Sequence, residues 1–188
     1  MTNLIDQYKK LHEEKENYGT GYNTGTSKMK GFDLKYFLKF LTENKSEFIL
    51  DYGCGKGKLV EFLNEKEYRC AGYDPAVEKY NKINLPEWSF DTLICLDVLE
   101  HIPEDEIDGL LDDILSYDTN TLFFIVSCKL AKTKLPDGTN PHVTVKPVSW
   151  WGDKFNKFFK SHKISSVYDE LRKEVTFKLW RKNDTVEK

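Results

Sequence analysis

Short apolar runs alternate with amphipathic segments along most of the chain. Four of these runs are predicted as strands: 48–52, 68–73, 90–96 and 121–127. Apolar residues at the three- and four-residue spacing of a helix predict four further elements: 58–65, 76–81, 104–115 and 150–160. Strands that alternate with helices form parallel pairs covered by those helices. We therefore expect a doubly wound α/β fold, in which a mainly parallel sheet carries helices on both faces.

The two ends of the chain depart from this alternation. Helices are predicted at 4–16 and 33–44, on either side of a loop rich in glycine and hydroxyl residues. Segments 163–167 and 174–181 predict a C-terminal antiparallel hairpin, because the second of them alternates apolar and polar residues. We interpret 1–188 as a single domain in which residues 1–32 supply an N-terminal helix and a candidate lid.

The composition limits the partners of the protein. In 188 residues, 28 Lys and Arg face 31 Asp and Glu, for a formal net charge of −3. This balance gives no electrostatic reason for tight nucleic-acid binding. The four cysteines are scattered along the sequence, which favours free thiols in a reducing compartment over a framework of disulfides. The first residues are polar and charged, and no apolar run approaches the roughly 20 residues of a membrane span. We expect a cytoplasmic protein whose partner is a small molecule.

The most informative segment joins the strand at 48–52 to the helix at 58–65. It contains Gly53, Gly55 and Gly57, with Asp51 two positions ahead of the first glycine. Glycines allow a tight turn and a close approach of backbone to a ligand, and the helix that follows presents free N–H groups. The spacing G-x-G-x-G differs from the G-x-G-x-x-G of dinucleotide-binding folds.

This segment resembles motif I of the class I S-adenosylmethionine-dependent methyltransferases. The sequence D-V-L-E-H-I-P at 97–103 is similar to the stretch that follows the fourth strand in that family. The resemblance implies that S-adenosylmethionine is the cofactor, that Asp51 lies near its amino acid end, and that Asp74 accepts its ribose hydroxyls. The residues expected to bind it are Asp51, Tyr52, Gly53, Cys54, Gly55, Gly57, Asp74, Pro75, Asp97 and Val98.

Two details of the resemblance depend on the segment after the second strand. Only 15 residues separate Pro75 from Asp91, so the third strand of the family is expected to be short or absent. The acidic residue that often meets the adenine is not identifiable there. Asn84 and Leu85 are the residues expected to meet the adenine in its place.

Asp74 also has a purely structural interpretation, as a cap before Pro75.

The reacting groups are expected where the parallel strands end, since ligands bind at the carboxyl ends of such strands. Methyl transfer requires alignment of acceptor, methyl carbon and sulfur, and an oxygen acceptor also requires a base. His142 and His101 are candidate bases, with Asp97 beside them. Alternatively, Asp97, Glu100, His101 and His142 bind a divalent metal, an arrangement that resembles the E-x-x-E-H…H set of small-RNA 2′-O-methyltransferases. In the interpretation that we favour, Glu100 and His101 are structural, so no metal is expected.

The sequence does not identify the molecule that accepts the methyl group. We expect methyl transfer to oxygen or nitrogen of a small molecule. One alternative is RNA ribose 2′-O-methylation, supported only by a loose basic cluster of Lys129, Lys132 and Lys134. Another is a non-catalytic subunit that binds S-adenosylmethionine. The chain has no N-P-P-Y or Pro-Cys sequence after the strand at 90–96, which argues against methylation of a nucleic-acid base.

Aromatic residues supply two further candidates for the site. Trp150 and Trp151 either line the binding site of the acceptor or belong to the hydrophobic core. Tyr18, Tyr22 and Lys28 either cover the cofactor as a lid or belong to a tether.

Overall fold

The computed structural model describes residues 4–14, 34–82 and 89–182. Its helices are α1 (Leu4–Glu14), α2 (Leu34–Glu43), α3 (Lys58–Glu65), α4 (Ile107–Ser116) and α5 (Val148–Phe158). Its strands are β1 (Phe48–Tyr52), β2 (Arg69–Tyr73), β3 (Thr92–Leu96), β4 (Thr121–Ser127), β5 (His162–Asp169) and β6 (Glu174–Arg181). Two short 3-10 helices lie at Glu78–Tyr80 and Leu99–His101.

The six strands form one sheet in the order β2-β1-β3-β4-β6-β5. Strands β2, β1, β3 and β4 are parallel, whereas β6 runs antiparallel to both β4 and β5. The expected α/β sheet with a C-terminal antiparallel hairpin is confirmed. Strand β2 forms the edge of the described sheet, and residues 83–88 lie outside the described part of the chain.

The strands are buried on both faces because their side chains alternate between two cores. Leu50 and Phe124 point to the core formed with α4 and α5. Ile49 and Phe123 point to the core formed with α2 and α3. Helices therefore cover both faces of the sheet, as the alternation of strands and helices predicts.

Several predicted helices have different bounds in the structure. Helix α4 begins at Ile107, later than expected, since Pro103 and Glu106 close a turn through a backbone hydrogen bond of 2.9 Å. Helix α5 begins at Val148, directly after Pro147. The segment predicted at 76–81 contains only the 3-10 turn Glu78–Tyr80. Among the described residues, no helix combines the length and apolar character needed to cross a membrane.

Candidate cofactor site and reaction site

The glycine-rich turn leaves β1 and is fastened to the end of β2. Gly53, Gly55 and Gly57 have φ values of 82°, 54° and 74°, all in the left-handed region that favours glycine. The backbone N–H groups of Gly53 and Cys54 both donate to the carbonyl oxygen of Tyr73, at 2.7 and 3.0 Å. The turn is thereby held at the carboxyl edge of the sheet, immediately before α3.

Two of these glycines also make room for neighbouring side chains. A Cβ atom on Gly53 would lie 2.3 Å from Cγ2 of Val98, and one on Gly57 would lie 2.2 Å from the hydroxyl oxygen of Tyr80. Both distances are far below van der Waals contact. The sequence pattern suggests close approach of a ligand, and the structure adds close packing within the chain as a second reason for glycine at both positions.

Asp51 is an almost completely buried acid beside this turn. It is 3 % exposed, and burial, with a smaller contribution from the charge of Asp74, raises the pKa of its carboxyl to about 8. A buried carboxylate is costly without a positive partner. The position therefore suits a cationic group such as the ammonium of an amino acid, which fits the role that the resemblance implies for Asp51.

Asp74 connects the end of β2 to the glycine turn. Its Oδ2 accepts a hydrogen bond from the backbone N–H of Gly55 at 2.9 Å, and its Oδ1 accepts one from the N–H of Ala76 at 2.8 Å. The capping role is thus present in the structure. Each carboxylate oxygen has a second lone pair, so the same side chain retains acceptor capacity for the hydroxyl groups of a ribose.

The other residues expected at the cofactor have different surroundings. The Tyr52 hydroxyl donates to Asp113 of α4 at 2.7 Å, and its ring belongs to the core on the face opposite Ile49. The Cys54 side chain is buried, and burial raises the pKa of its thiol. Pro75 is exposed. Asn84, Leu85 and the proposed lid residues Tyr18, Tyr22 and Lys28 lie outside the described residues.

Asp97 and Val98 follow directly on β3. Asp97 has a left-handed φ of 54°, and its N–H donates to the Ile125 carbonyl of β4 at 2.9 Å. Val98 contacts Gly53, as the short distance above shows. The segment after β3 therefore lies against the glycine turn.

His101 and His142 meet beside this segment. Their ring centroids are 4.7 Å apart and the rings are nearly perpendicular, at 89°. Thr144 holds the two loops together, because its N–H donates to the Glu100 carbonyl at 3.0 Å and its hydroxyl donates to the Ile102 carbonyl at 2.7 Å. The loop after β4 thus returns to the 3-10 turn after β3.

The loop that carries His142 is organised by Asn140. Its side-chain oxygen accepts hydrogen bonds from the N–H groups of Ala131 (3.1 Å) and His142 (2.9 Å). Its amide nitrogen donates to the Ala131 carbonyl at 2.8 Å. These three bonds fix the start and end of the loop relative to each other.

The hydrogen bonds of the two imidazole rings indicate which tautomer each of them adopts when neutral. His142 Nδ1 lies 2.6 Å from the Lys129 carbonyl oxygen, and His101 Nδ1 lies 3.0 Å from the Pro141 carbonyl oxygen. A carbonyl oxygen only accepts, so Nδ1 carries the hydrogen in each ring and Nε2 keeps its lone pair. Burial, followed by the neighbouring His142, lowers the pKa of His101 to about 3, and burial lowers the pKa of His142.

Tyr8 of α1 is a site residue that the sequence analysis missed. Its hydroxyl lies 2.8 Å from His101 Nδ1 and donates to the Pro141 carbonyl at 2.7 Å. Gln7 adds a hydrogen bond of 2.7 Å to Asp137, and Leu11 is buried. Helix α1 therefore packs against the loops that carry the two histidines. No local pattern around Tyr8 indicates this contact.

Glu100 is fully buried next to the histidines. Its Oε1 accepts the N–H of Ser127 at the end of β4, at 3.0 Å. Its Oε2 is buried and has no hydrogen-bond partner among the described residues. Burial, with a further contribution from Asp97, raises the carboxyl pKa well above its usual value. One ligand atom each of Glu100, His101 and His142 lies within 4.8 Å of the others, and Asp97 is outside this group.

The remaining candidates are divided between core and surface. Trp151 is fully buried in the core beside α4. Trp150 is only partly buried, and the ammonium groups of Lys146 and Lys154 lie over its ring. Of the loose basic cluster, Lys129 forms an ion pair of 3.3 Å with Glu174. Lys132 and Lys134 are exposed.

Four parallel strands, a glycine-rich turn after β1 and acids near the ends of β1 and β2 form a Rossmann-like fold with a candidate ligand site at the carboxyl edge of the sheet. The family described as "Methyltransferase domain" matches residues 28–163, well over half of the chain. The protein belongs to this family. It is an S-adenosylmethionine-dependent methyltransferase, and S-adenosylmethionine is its cofactor.

Solved structures agree on the fold at low sequence identity. The complex of DhpI with S-adenosylhomocysteine has a TM-score of 0.67 at 13 % identity, covering 97 % of this chain and 99 % of that chain. The 1,6-didemethyltoxoflavin-N1-methyltransferase of Burkholderia thailandensis has a TM-score of 0.60 at 12 % identity, covering 96 % and 88 %. The magnesium protoporphyrin IX methyltransferase of Synechocystis PCC 6803 has a TM-score of 0.55 at 17 % identity, covering 79 % and 81 %. No curated protein sequence matches the chain.

Proposed function

We propose that this methyltransferase acts on an oxygen or nitrogen atom of a small-molecule acceptor. The observation that carries the proposal is the position of His101 and His142. Both are neutral imidazoles next to the segment that contacts the glycine turn, at the carboxyl ends of β3 and β4. An acceptor O–H or N–H must lose its proton during methylation, and groups with free nitrogen lone pairs can assist that loss.

The cofactor would be held by the glycine turn and its two acids. Asp51 would meet the ammonium of the methionine portion, and Asp74 would accept the ribose hydroxyls beside Gly55. When bound, S-adenosylmethionine supplies a methyl group on a positively charged sulfur. The protein orients the acceptor toward that methyl group and excludes water from it. Asp97, His101 and His142 are the residues that we assign to this task.

The charge of the region favours a small acceptor over RNA. The charge of Asp97 raises the carboxyl pKa of both Glu100 and Glu174, and Glu174 also raises that of Glu100, so acidic groups surround the histidines. Lys129 is already paired with Glu174 at 3.3 Å. A phosphate backbone would meet repulsion here, and nucleic-acid affinity depends mainly on contacts between phosphates and basic residues.

An acceptor screen tests the proposal. The purified protein is incubated with S-adenosylmethionine labelled in the methyl group and with fractions of small metabolites, and methylated products are identified by mass spectrometry. We expect transfer to a small molecule, with His142→Gln reducing turnover at least tenfold. Lys163→Gln, at the amino-terminal edge of the sheet on β5, is the control and should retain full turnover.

Two other results would contradict the proposal. Transfer only to RNA would identify a ribose methyltransferase. Tight binding of S-adenosylhomocysteine by calorimetry, with no transfer to any small molecule or RNA fraction, would indicate a non-catalytic subunit.

A further inference from the structure

We infer that Glu100, His101 and His142 form a binding site for one divalent transition-metal ion that positions an oxygen acceptor. The inference rests on the proposed function and narrows the acceptor atom from oxygen or nitrogen to oxygen. It assigns the free lone pairs of the two imidazoles to a cation. It departs from the structural interpretation of Glu100 and His101 that the sequence favours.

The spacing of the three side chains suits one ion. Their ligand atoms all lie within 4.8 Å of one another. An ion with bonds of about 2.0–2.2 Å to nitrogen and oxygen requires donors roughly 3–4 Å apart, so small side-chain movements suffice. Asp97 does not belong to the group. The set is therefore two nitrogens and one oxygen, and not the four-residue set that the sequence suggests.

The histidines are held in the form that binds metals. Each Nδ1–H is directed at a backbone carbonyl, of Pro141 for His101 and of Lys129 for His142. Such bonds fix the tautomer and the ring orientation of metal-ligating histidines. They leave both Nε2 atoms as ligands. Two independent loops supply the same arrangement, and Thr144 joins those loops through bonds of 3.0 and 2.7 Å.

Glu100 supplies the second, independent observation. The residue is 0 % exposed, yet among the described residues only Oε1 has a hydrogen-bond partner, the N–H of Ser127 at 3.0 Å. Oε2 is buried without a hydrogen bond from any described residue. A buried carboxylate oxygen without a partner is costly. A cation between this oxygen and the two imidazoles would remove that cost.

The ligand types narrow the identity of the ion. Imidazole suits Mn²⁺, Fe²⁺, Co²⁺ and Zn²⁺, whereas Mg²⁺ and Ca²⁺ prefer sites made only of oxygen. Three protein ligands also leave coordination positions open, as in catalytic metal sites. An acceptor hydroxyl is the natural occupant of such a position, because a bound cation lowers the pKa of the hydroxyl.

Cobalt binding tests the site without any assay of activity. The purified full chain is treated with a chelator, dialysed and titrated with Co²⁺, and the visible absorption of the bound ion is recorded. We expect saturation at one equivalent, with His142→Gln and Glu100→Gln each weakening binding at least tenfold. His162→Gln is the matched control, because this buried histidine belongs to the hairpin and contacts Thr119. Circular dichroism establishes that each variant is folded.

The outcomes separate this inference from the proposed function. Absence of saturable binding, or equal binding by wild type and both ligand variants, overturns the metal site. In that case methyl transfer that continues in chelator leaves the proposed function intact. If Co²⁺ binds saturably at the three residues but no methyl group is transferred to any small molecule, the metal site stands and the proposed function is overturned. With both correct, chelator abolishes transfer to a hydroxyl acceptor and Mn²⁺ or Co²⁺ restores it.

Discussion

The hydroxyl of Tyr8 lies 2.8 Å from Nδ1 of His101, a residue 93 positions later in the chain. The same hydroxyl donates to the Pro141 carbonyl, so one tyrosine on α1 contacts both loops at the candidate reaction site. Helix α1 therefore packs against the loops that carry the two histidines of the candidate site.

Replacement of Tyr8 by Phe should loosen this helix. The loss of the hydroxyl removes a partly buried hydrogen bond, and we expect the free energy of unfolding to fall by about 0.5–1.5 kcal/mol. Urea unfolding measures the change, and trypsin cleavage after the exposed Lys9 and Lys10 should become faster. Tyr168→Phe, on an exposed ring of the hairpin, should alter neither measurement. Equal behaviour of the two variants would mean that Tyr8 does not hold α1.

Asp51 should make stability depend on pH in an unusual direction. Its folded pKa of about 8 lies above the ordinary value of 3.8, so the native state holds the proton more tightly than the unfolded chain. Stability due to this group is full below about pH 4 and declines as the pH rises to 8. Asp51→Asn cannot ionise. The free energy of unfolding of wild type minus that of the variant should therefore fall across this range, as measured by urea unfolding at several pH values.

The same carboxyl should release a proton when cofactor binds. If Asp51 meets the ammonium of S-adenosylhomocysteine, it must ionise, since the positive charge favours the carboxylate. Calorimetry at pH 7 in two buffers of different ionisation enthalpy counts the protons released. We expect net release by wild type and much less by Asp51→Asn. Equal release by both proteins would place the ammonium elsewhere.

Asp74→Ala should weaken the binding of S-adenosylhomocysteine by about 1–3 kcal/mol. The variant loses the acceptor proposed for the ribose and also the bonds to Gly55 and Ala76 that hold the turn. Isothermal titration calorimetry gives the affinity, with Asp112→Ala, an exposed acid of α4, as control. Unchanged affinity together with lower thermal stability would leave Asp74 with the capping role alone.

Replacement of glycine by alanine should have opposite effects on stability at Gly57 and at Gly109. Gly57→Ala combines a left-handed φ of 74° with a clash against the Tyr80 ring, so we expect destabilisation by more than about 1 kcal/mol. Gly109 lies in α4 with nothing within 4 Å of its added Cβ, and Gly109→Ala should stabilise by about 0.5–1 kcal/mol. Urea unfolding compares both variants. Changes of the same sign would contradict this account.

The fold could be predicted from the sequence because buried parallel strands form continuous apolar runs. Strands β1 and β4 begin and end at the predicted residues. So does the antiparallel strand β6, which was predicted from its alternation of apolar and polar residues. The direction of individual side chains was harder to infer. Tyr52 follows Asp51 in a strand, so its side chain must point to the opposite face, and its hydroxyl bonds to Asp113 of α4. The alternation of side chains along a strand was therefore the sequence signal that Tyr52 and Asp51 face opposite sides of the sheet.

The candidate site depends on contacts that leave no local pattern. The D-x-x-E-H spacing groups Asp97 with the next acid and histidine, but the 3-10 helix that starts at Leu99 separates Glu100 and His101 from it. The contact of His101 with His142 depends on Thr144 and Asn140, two polar loop residues of ordinary type. The bond from Tyr8 joins segments 93 positions apart. Such contacts arise from tertiary packing and are not encoded in spacing.

The position of β6 in the sheet has a consequence for how the protein is made. β4 carries the N–H that holds Glu100, and all seven of its residues are buried. Its second neighbour is β6, the last strand among the described residues. During synthesis on the ribosome, an apolar strand edge therefore stays bare until the hairpin has emerged, and bare edges of this kind template aggregation. A chain interrupted before Glu174 would therefore lack the second neighbour of β4, and its exposed strand edge would favour aggregation.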